Sequence, residues 1–528
     1  MRDHYDVVVI GSGPGGAMAA LPLVRAGARV LMLERGDWVT RGLAARAPEA
    51  TAVLSPAYSM AAGYDADTDV SHRAAGAFHC VGGPTVFYAG VALRYRQDDF
   101  NPGAEVLGDC GACWPYDYAE LEPFYSQAEA LLGVSGDAGA DPTEPPRTHA
   151  YGMQSPPLSV TAQALHAAAR GIGLAPFRPP LAINRVPGAR AICDGCGSCD
   201  GFACATNAKG DAATIVTMLI GEGMELRTRT AAVRLIADGD RVTAVECVDV
   251  ATGNRFSVRA DTVILAAGAL ATPHLILASK LQAQCSGGSV VGRFLTRHCN
   301  GVLLGAFLRP PGGGVVPYKE FAITDFYFRH PGRPELTRVG IIQQTALPVS
   351  LVLHEAPSLL RPLVRRVLPH LMGLVVIGED QPVFSNHVAL DPRRVDPLGL
   401  PGLNIFHRYT PRDFLARRLL LRESRRIFSA AGSLGSFWRT IDTFSHALGT
   451  VRMGDDPETS ALDGDGRFRG LANLYVADGS ALPTSAAVNP SLTIAATALR
   501  LGTRLANALH PAVRGSRVER LPVVQANG

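Results

Sequence analysis

The segment YDVVVIGSGPGGAMAALPLVRAGARVLMLERG, beginning at Tyr5, constrains the chain more than any other. An apolar run, a glycine-rich turn, a helix-forming stretch and a second apolar run follow one another. Apolar runs this short and without alternation read as strands buried on both faces of a parallel sheet. Gly11, Gly13 and Gly16 stand in the spacing G-x-G-x-x-G. The first permits a tight turn, the second lets backbone approach a pyrophosphate, and the third lets the helix pack close on the sheet. The start of that helix offers unpaired N–H groups and the positive end of its dipole to a phosphate. Glu34 closes the second strand, 21 residues after Gly13. A carboxylate there accepts from ribose hydroxyls and repels a 2′-phosphate. Strand, turn, helix and acid together predict a dinucleotide-binding α/β domain, without separating FAD from NAD.

The bulk of the chain narrows its class. Its 528 residues suffice for one large or two ordinary domains. Hydrophobic residues at 47% and charged residues at 18% make a globular composition. A net charge of +3 with no long basic run gives no sign of nucleic acid as a partner. The first residues lack the features of a signal peptide, and no apolar run reaches membrane-spanning length. The expected location is the cytoplasm, where thiols stay reduced.

Five further segments carry a resemblance. ADTVILAAGALATPHLILAS (260–279) repeats the strand, turn and helix, after a stretch that reads as a β-meander. NLYVADGSALPTSAAVNPSLTIAATALRLGTRLA (473–506) gives a strand, a turn at Asp478-Gly479-Ser480 and a long helix. GALATPHLILAS resembles one signature of the glucose–methanol–choline (GMC) family of FAD oxidoreductases. FSHALGTVRMG (444–454) and DGSALPTSAAVNPSLT (478–493) resemble its C-terminal active-site block. WPYDYAELEPFYSQAEALLGVSG (114–136) and DPLGLPGLNIF (396–406) are similar to the branch holding gluconate dehydrogenases and pyranose oxidases. The resemblance implies an α/β fold in two parts. A Rossmann-like FAD-binding domain would be assembled from 1–100, 205–298 and 440–510. A substrate domain, an antiparallel sheet with covering helices, would take 101–204 and 299–439, leaving 511–528 as a tail. It also implies an extended FAD, with the Val233 backbone near adenine and Asp478 near the ribityl–phosphate part. Gly82, Gly83, Tyr88, Ala267, Gly268, Gly479 and Pro490 join the cofactor site by the same resemblance.

The activity implied is oxidation of an alcohol, whether sugar, polyol or lipophilic, to an aldehyde or ketone with hydride passing to flavin. His446 fits the base, because imidazole titrates near neutral pH. The family's second active-site position falls on Asn489, 43 residues on, whose amide can donate to the substrate oxygen. Pro490 then opens a helix whose positive end faces the flavin. His298 and His387 lack such flanking patterns and read as structural or surface residues. In FHCVGGPTVFYAGVALR (78–94), Phe87 stands where several relatives attach flavin through a histidine, so the expected FAD is non-covalent. Tyr88 replaces the family's asparagine at the flavin edge, which puts borrowed oxygen reactivity in question. A lyase that keeps FAD as structure, or a non-catalytic electron-transfer subunit, is the rival reading.

Cys193, Cys196, Cys199 and Cys204 crowd one loop of a chain with ten cysteines. Their close spacing suits an iron–sulfur cluster better than a zinc site of two separated pairs, and disulfides or free thiols also remain open. By resemblance, such a loop relays electrons to a cytochrome partner. The electron acceptor itself, oxygen, a quinone or a cytochrome subunit, is open. The segment 356–380 spaces Leu359, Leu360, Leu363, Val367, Leu368 and Leu371 at roughly helical intervals with Arg361, Arg365 and Arg366 between. It reads as a buried helix over the sheet or, alternatively, as a lid or membrane-surface element. A peripheral contact with membrane or a partner subunit belongs to that second reading.

Overall fold

The computed structural model describes residues 4–41, 58–69, 72–188, 190–197, 199–309, 318–345, 352–353, 356–441 and 443–509. The expected tail 511–528 lies outside them. A seven-stranded sheet grows from β1 (His4–Ile10), whose Val7–Val9 are fully buried. β2 (Val30–Leu33) and β8 (Arg255–Leu265) flank β1 in parallel, and β5 (Glu225–Arg227) extends the sheet beyond β2. The long β8 serves two neighbours. Its first half pairs antiparallel with β7 (Arg241–Asp249), which pairs with β6 (Thr230–Asp238) as the expected meander. Its second half runs parallel to β16 (Leu474–Val476).

Helix α1 (Pro14–Arg25) packs against α8 (Ser491–Leu509) so closely that a Cβ on Gly502 would lie 2.2 Å from the Ala19 carbonyl. α2 (Tyr118–Leu132) lies beside α8, with the Tyr125 and Thr493 hydroxyls 2.8 Å apart. The Asp211 side chain caps α4 (Ala212–Gly221), and α5 (Gly268–Ala278) follows β8.

A second sheet has five strands in the order β10 (Ala322–Ile323), β11 (Ile341–Thr345), β12 (Leu371–Gly378), β9 (Cys299–Ala306), β15 (Gly435–Thr440). Its two faces follow from the strand period of two. Leu303, Ile342, Leu374 and Val376 pack in one cluster with residues of α3 (Val160–Gly171) and α7 (Pro411–Ala430). Ile341, Val375 and Ile377, on the other face, join the cluster of the first sheet. Asn300 and Gln343 share that face by register. A third sheet pairs β13 (His387–Val395) with β14 (Pro401–His407), then β14 in parallel with β3 (Tyr58–Thr68) and β3 with β4 (His72–Phe78). Among the described residues, no helix is long and apolar enough to cross a membrane.

Candidate active site and cofactor cradle

The fingerprint glycines divide by what surrounds them. A Cβ on Gly11, where φ is +105°, would meet the Ala266 carbonyl oxygen at 2.3 Å, and one on Gly16 the Gly11 oxygen at 2.0 Å. Gly15, outside the motif's three, is equally closed, with the Ala477 oxygen at 2.0 Å. At Gly13 a Cβ meets nothing within 4 Å. Gly13 is the N-cap of α1, and no side chain caps it there. The open side at an uncapped helix start, between closed neighbours, is the shape a pyrophosphate requires.

The 78–94 loop sits on this cradle. Gly82 (φ +92°) and Gly83 (φ +55°) turn the chain, and a Cβ on Gly83 would stand 3.3 Å from the Gly13 Cα. Glu34 accepts from Ser12 Oγ at 2.6 Å and from the N–H of Ser12 and Gly36. Ser12 Oγ in turn accepts from the Gly82 N–H at 3.1 Å. Burial pushes the Glu34 carboxyl above its ordinary value, against these donors. Val233 is skipped in the β6–β7 ladder, where Ala232 pairs with Cys247 and Arg234 with Glu246. Such a bulge leaves a residue's backbone groups outside the ladder.

Asp478 is saturated. Oδ1 accepts from Ser480 N–H and Oγ, and Oδ2 from Gly268 N–H and Thr272 Oγ1, all within 2.8 Å. The carboxylate therefore pins the turn after β16 to the start of α5, where Ala267 is the N-cap. Gly479 is closed by Leu448 at 2.7 Å, and the Pro490 carbonyl accepts the Ile494 N–H at the opening of α8. These residues are compatible in kind with FAD: an open helix start suits a phosphate, a carboxylate suits ribose hydroxyls, and Val233 lies outside the β6–β7 ladder.

Phe87 is buried and stacks on Phe78 at 5.0 Å. The Tyr88 hydroxyl donates to the Gly210 carbonyl, and burial pushes its phenol far above the ordinary value. Lys209, fully buried, donates to the carbonyls of Tyr88 (2.7 Å), Cys199 (2.7 Å) and Phe202 (3.0 Å). The cysteine loop is thereby tied to the loop beside the cradle. The metal-ligand expectation for Cys193, Cys196, Cys199 and Cys204 gains no support. All four are free thiols, and among the described residues no group of three or more His, Cys, Asp and Glu could hold a metal ion. Cys196 is exposed and Cys199 buried, while Cys204 Sγ accepts the Lys209 N–H at 3.5 Å.

His446 and Asn489 are each held from behind. His446 Nδ1 lies 2.9 Å from Nδ1 of His298, the two rings at 89°. His298 Nε2 lies 3.0 Å from the Ser485 carbonyl. Behind His298, Asp380 accepts the N–H of Arg297 (2.8 Å) and His298 (3.0 Å) and the Ser485 hydroxyl (2.9 Å). His407 Nε2 reaches it at 3.3 Å. Asn489 Oδ1 accepts from Gln343 Nε2 at 2.7 Å, and Gln343 Oε1 accepts from Lys319 Nζ at 3.3 Å. Burial pushes His446 well below the ordinary imidazole value, and the neighbouring His298 and Lys319 act in the same direction, against Asp380. Lys319, also lowered by burial, thus reaches both members of the pair.

His298, read from the sequence as structural or surface, is buried against His446, and Lys319, Gln343 and Asp380 carry no motif at all. These partners stand 148 positions from His446 in one case and 146 from Asn489 in the other. No local pattern reports contacts at that range. His387, by contrast, bonds the Ser385 carbonyl at the surface. The buried-helix expectation for 356–380 fails: α6 (Arg361–Val367) buries no residue, and Leu359 is 93% exposed. Leu368, just beyond it, turns inward, and the buried part of the segment is strand β12 and not a helix.

A GMC oxidoreductase N-terminal model matches residues 62–300, its C-terminal counterpart 382–498, and an FAD-binding domain 4–51. The chain belongs to the GMC oxidoreductases. It is an FAD-dependent oxidoreductase acting on CH–OH donors. It is 33% identical to 6'''-hydroxyparomomycin C oxidase of Streptomyces lividus, over 96% of this chain and 92% of the relative. Identity is 30% to 2-methyl-1,2-propanediol dehydrogenase of Mycolicibacterium austroafricanum (95% of each). It is 26% to the Gluconate 2-dehydrogenase flavoprotein of Pantoea cypripedii (93% and 92%). Formate oxidase shares the fold, with a TM-score of 0.69 at 15% identity over 97% of this chain and all of that one. These relatives are oxidases and dehydrogenases, and nothing in them favours a lyase or a non-catalytic subunit.

Proposed function

We propose that this GMC oxidoreductase oxidises one hydroxyl of a polar, polyhydroxylated alcohol, with His446 as base and Asn489 as the donor that holds the same oxygen. The observation that carries this is the pair of buried relays, Ser485–His298–His446 and Lys319–Gln343–Asn489. Because Gln343 donates to Asn489 Oδ1, the Asn489 amide keeps its N–H groups for an incoming oxygen. His446, held uncharged by burial and by Lys319, is ready to take a proton. Asn300 Oδ1 is buried without a partner on the sheet face that carries Gln343. A buried acceptor of that kind suits a second substrate hydroxyl, since leaving it unpaired costs about 1–3 kcal/mol. The relatives named for paromomycin and propanediol chemistry agree with a polar substrate. Leu359, Leu360 and Leu363, at and before α6, face solvent and do not line that face.

FAD, when bound, supplies the two-electron acceptor for the carbinol carbon. Gly11, Gly13 and the first turn of α1 would hold its pyrophosphate, Glu34 a ribose and Val233 backbone the adenine, while Ala267, Gly268 and Gly479 shape the walls that Asp478 pins. The start of α8 at Pro490 turns a positive helix end toward the same region. With Phe87 at the linking position, acid precipitation should release all of the flavin into solution.

Anaerobic mixing with polyols and sugars, followed by flavin absorbance, tests the reading. At least one should bleach the flavin, and His446→Ala should slow bleaching about 10²–10⁴-fold with FAD retained. Unchanged bleaching in His446→Ala would sink the assignment. Oxygen uptake during turnover, compared with reduction of a quinone or cytochrome, divides oxidase from dehydrogenase.

A further inference from the structure

We propose that His298 is the positioning residue that fixes which nitrogen of His446 bears the proton. This rests on His446 being the base. The argument starts at the Ser485 carbonyl, which can only accept. Lying 3.0 Å from His298 Nε2, it requires a proton on that nitrogen. A neutral imidazole protonated at Nε2 has its lone pair at Nδ1. That Nδ1 lies 2.9 Å from His446 Nδ1, and two lone pairs cannot form a hydrogen bond. His446 Nδ1 therefore carries the proton, and its Nε2 carries the free pair that meets the substrate hydroxyl.

The reverse arrangement needs a His298 cation. His298 is fully buried, which disfavours charge. Asp380 favours the cation, but it is already shared among His407, the Ser485 hydroxyl and two backbone N–H groups. Arg297 and Lys319 act against positive charge at the adjoining His407 and His446. The backbone is built to hold this ring. His298 sits at φ +64°, an unusual conformation for a residue with a side chain, with its N–H on Asp380 and its carbonyl accepting from the Tyr409 hydroxyl at 2.7 Å. When the substrate proton reaches His446 Nε2, the Nδ1–H bond to His298 persists and steadies the imidazolium. No proton passes to His298.

Two variants and one spectrum test this. His298→Leu removes the acceptor, and flavin reduction should slow about 10²–10⁴-fold, as for a base held in the wrong tautomer. His298→Gln can present an oxygen to His446 and an N–H to Ser485, and should recover to within about tenfold of the native rate. In 15N-histidine-labelled holoenzyme, with His446→Ala identifying the signals, His446 should show a protonated Nδ1 and a bare Nε2. His298→Leu should change that pattern. A native spectrum with the proton on Nε2 overturns the proposal, as does an undiminished rate in His298→Leu, or a His298→Gln as slow as His298→Leu. Should His298→Leu not fold, the native spectrum decides alone. If His446→Ala itself reduces flavin normally, the base reading has failed. If only His298→Leu is unaffected, the inference alone has failed.

Discussion

Gly13 and Gly15 stand two residues apart and should fail for opposite reasons. At Gly13 the backbone lies at φ −65° and ψ −174°, which alanine adopts freely, and the added methyl meets no atom within 4 Å. Lost capping preference and reduced unfolded-state entropy nearly offset, so Gly13→Ala should change the stability of FAD-stripped protein by no more than about 1 kcal/mol. The methyl stands instead over the N–H groups that would face the pyrophosphate. Losing one hydrogen bond to a charged group costs about 1.5–3 kcal/mol, roughly ten- to 150-fold in Kd. At Gly15 the methyl would lie 2.0 Å from the Ala477 oxygen and 2.8 Å from its carbon. That backbone cannot yield easily, because Asp478 beside it is anchored by four hydrogen bonds and β16 is paired to β8. Overpacking of this kind costs about 1–3 kcal/mol or more in the stripped protein itself. Denaturant melts of stripped protein and flavin-fluorescence titrations measure the two quantities separately. If Gly13→Ala binds FAD like the native chain, or melts as early as Gly15→Ala, the division of the glycines is wrong.

Three other perturbations follow from the same contacts. Burial, then the neighbouring Asp99, raises the Glu379 carboxyl from 4.5 to about 8, so its folded form keeps the proton. The stability this gives is complete below the unfolded value and drains as pH rises toward 8. Glu379→Gln should therefore leave acid melts unchanged and stabilise the protein at pH 9 by a few kcal/mol; a shift of equal size at both pH values would refute it. Lys319→Met removes a charge that depresses His446, so the acid limb of the kcat/KM profile should move to higher pH, and a limb that stays or moves lower contradicts the site's electrostatics. Leu359→Ser and Leu363→Ser, at solvent-facing positions, should each change stability by less than about 0.5 kcal/mol in thermal melts.

What the chain's order of residues determined by itself is local. Val7 to Ile10, the turn at Gly11 and the helix from Pro14 are legible because backbone conformation and burial period are set within a few residues. The meander of β6 and β7 and the turn at Asp478 belong to the same class. The cysteine run is conspicuous in the sequence, but spacing alone said nothing about which thiols would be exposed and which buried, or that the Cys199 carbonyl would be held by buried Lys209. Periodicity in 356–380 likewise announced a helix without saying whether anything would cover it. Only the tertiary structure decided that the face holding Leu359 and Leu363 stays in solvent, and that β3 finds its parallel partner in β14 far along the chain. It also brought His298 to His446 and Gln343 to Asn489. Those contacts depend on two sheets meeting across the site. Hydrogen bonds made at such separation leave no period, cap or turn in the residues that make them.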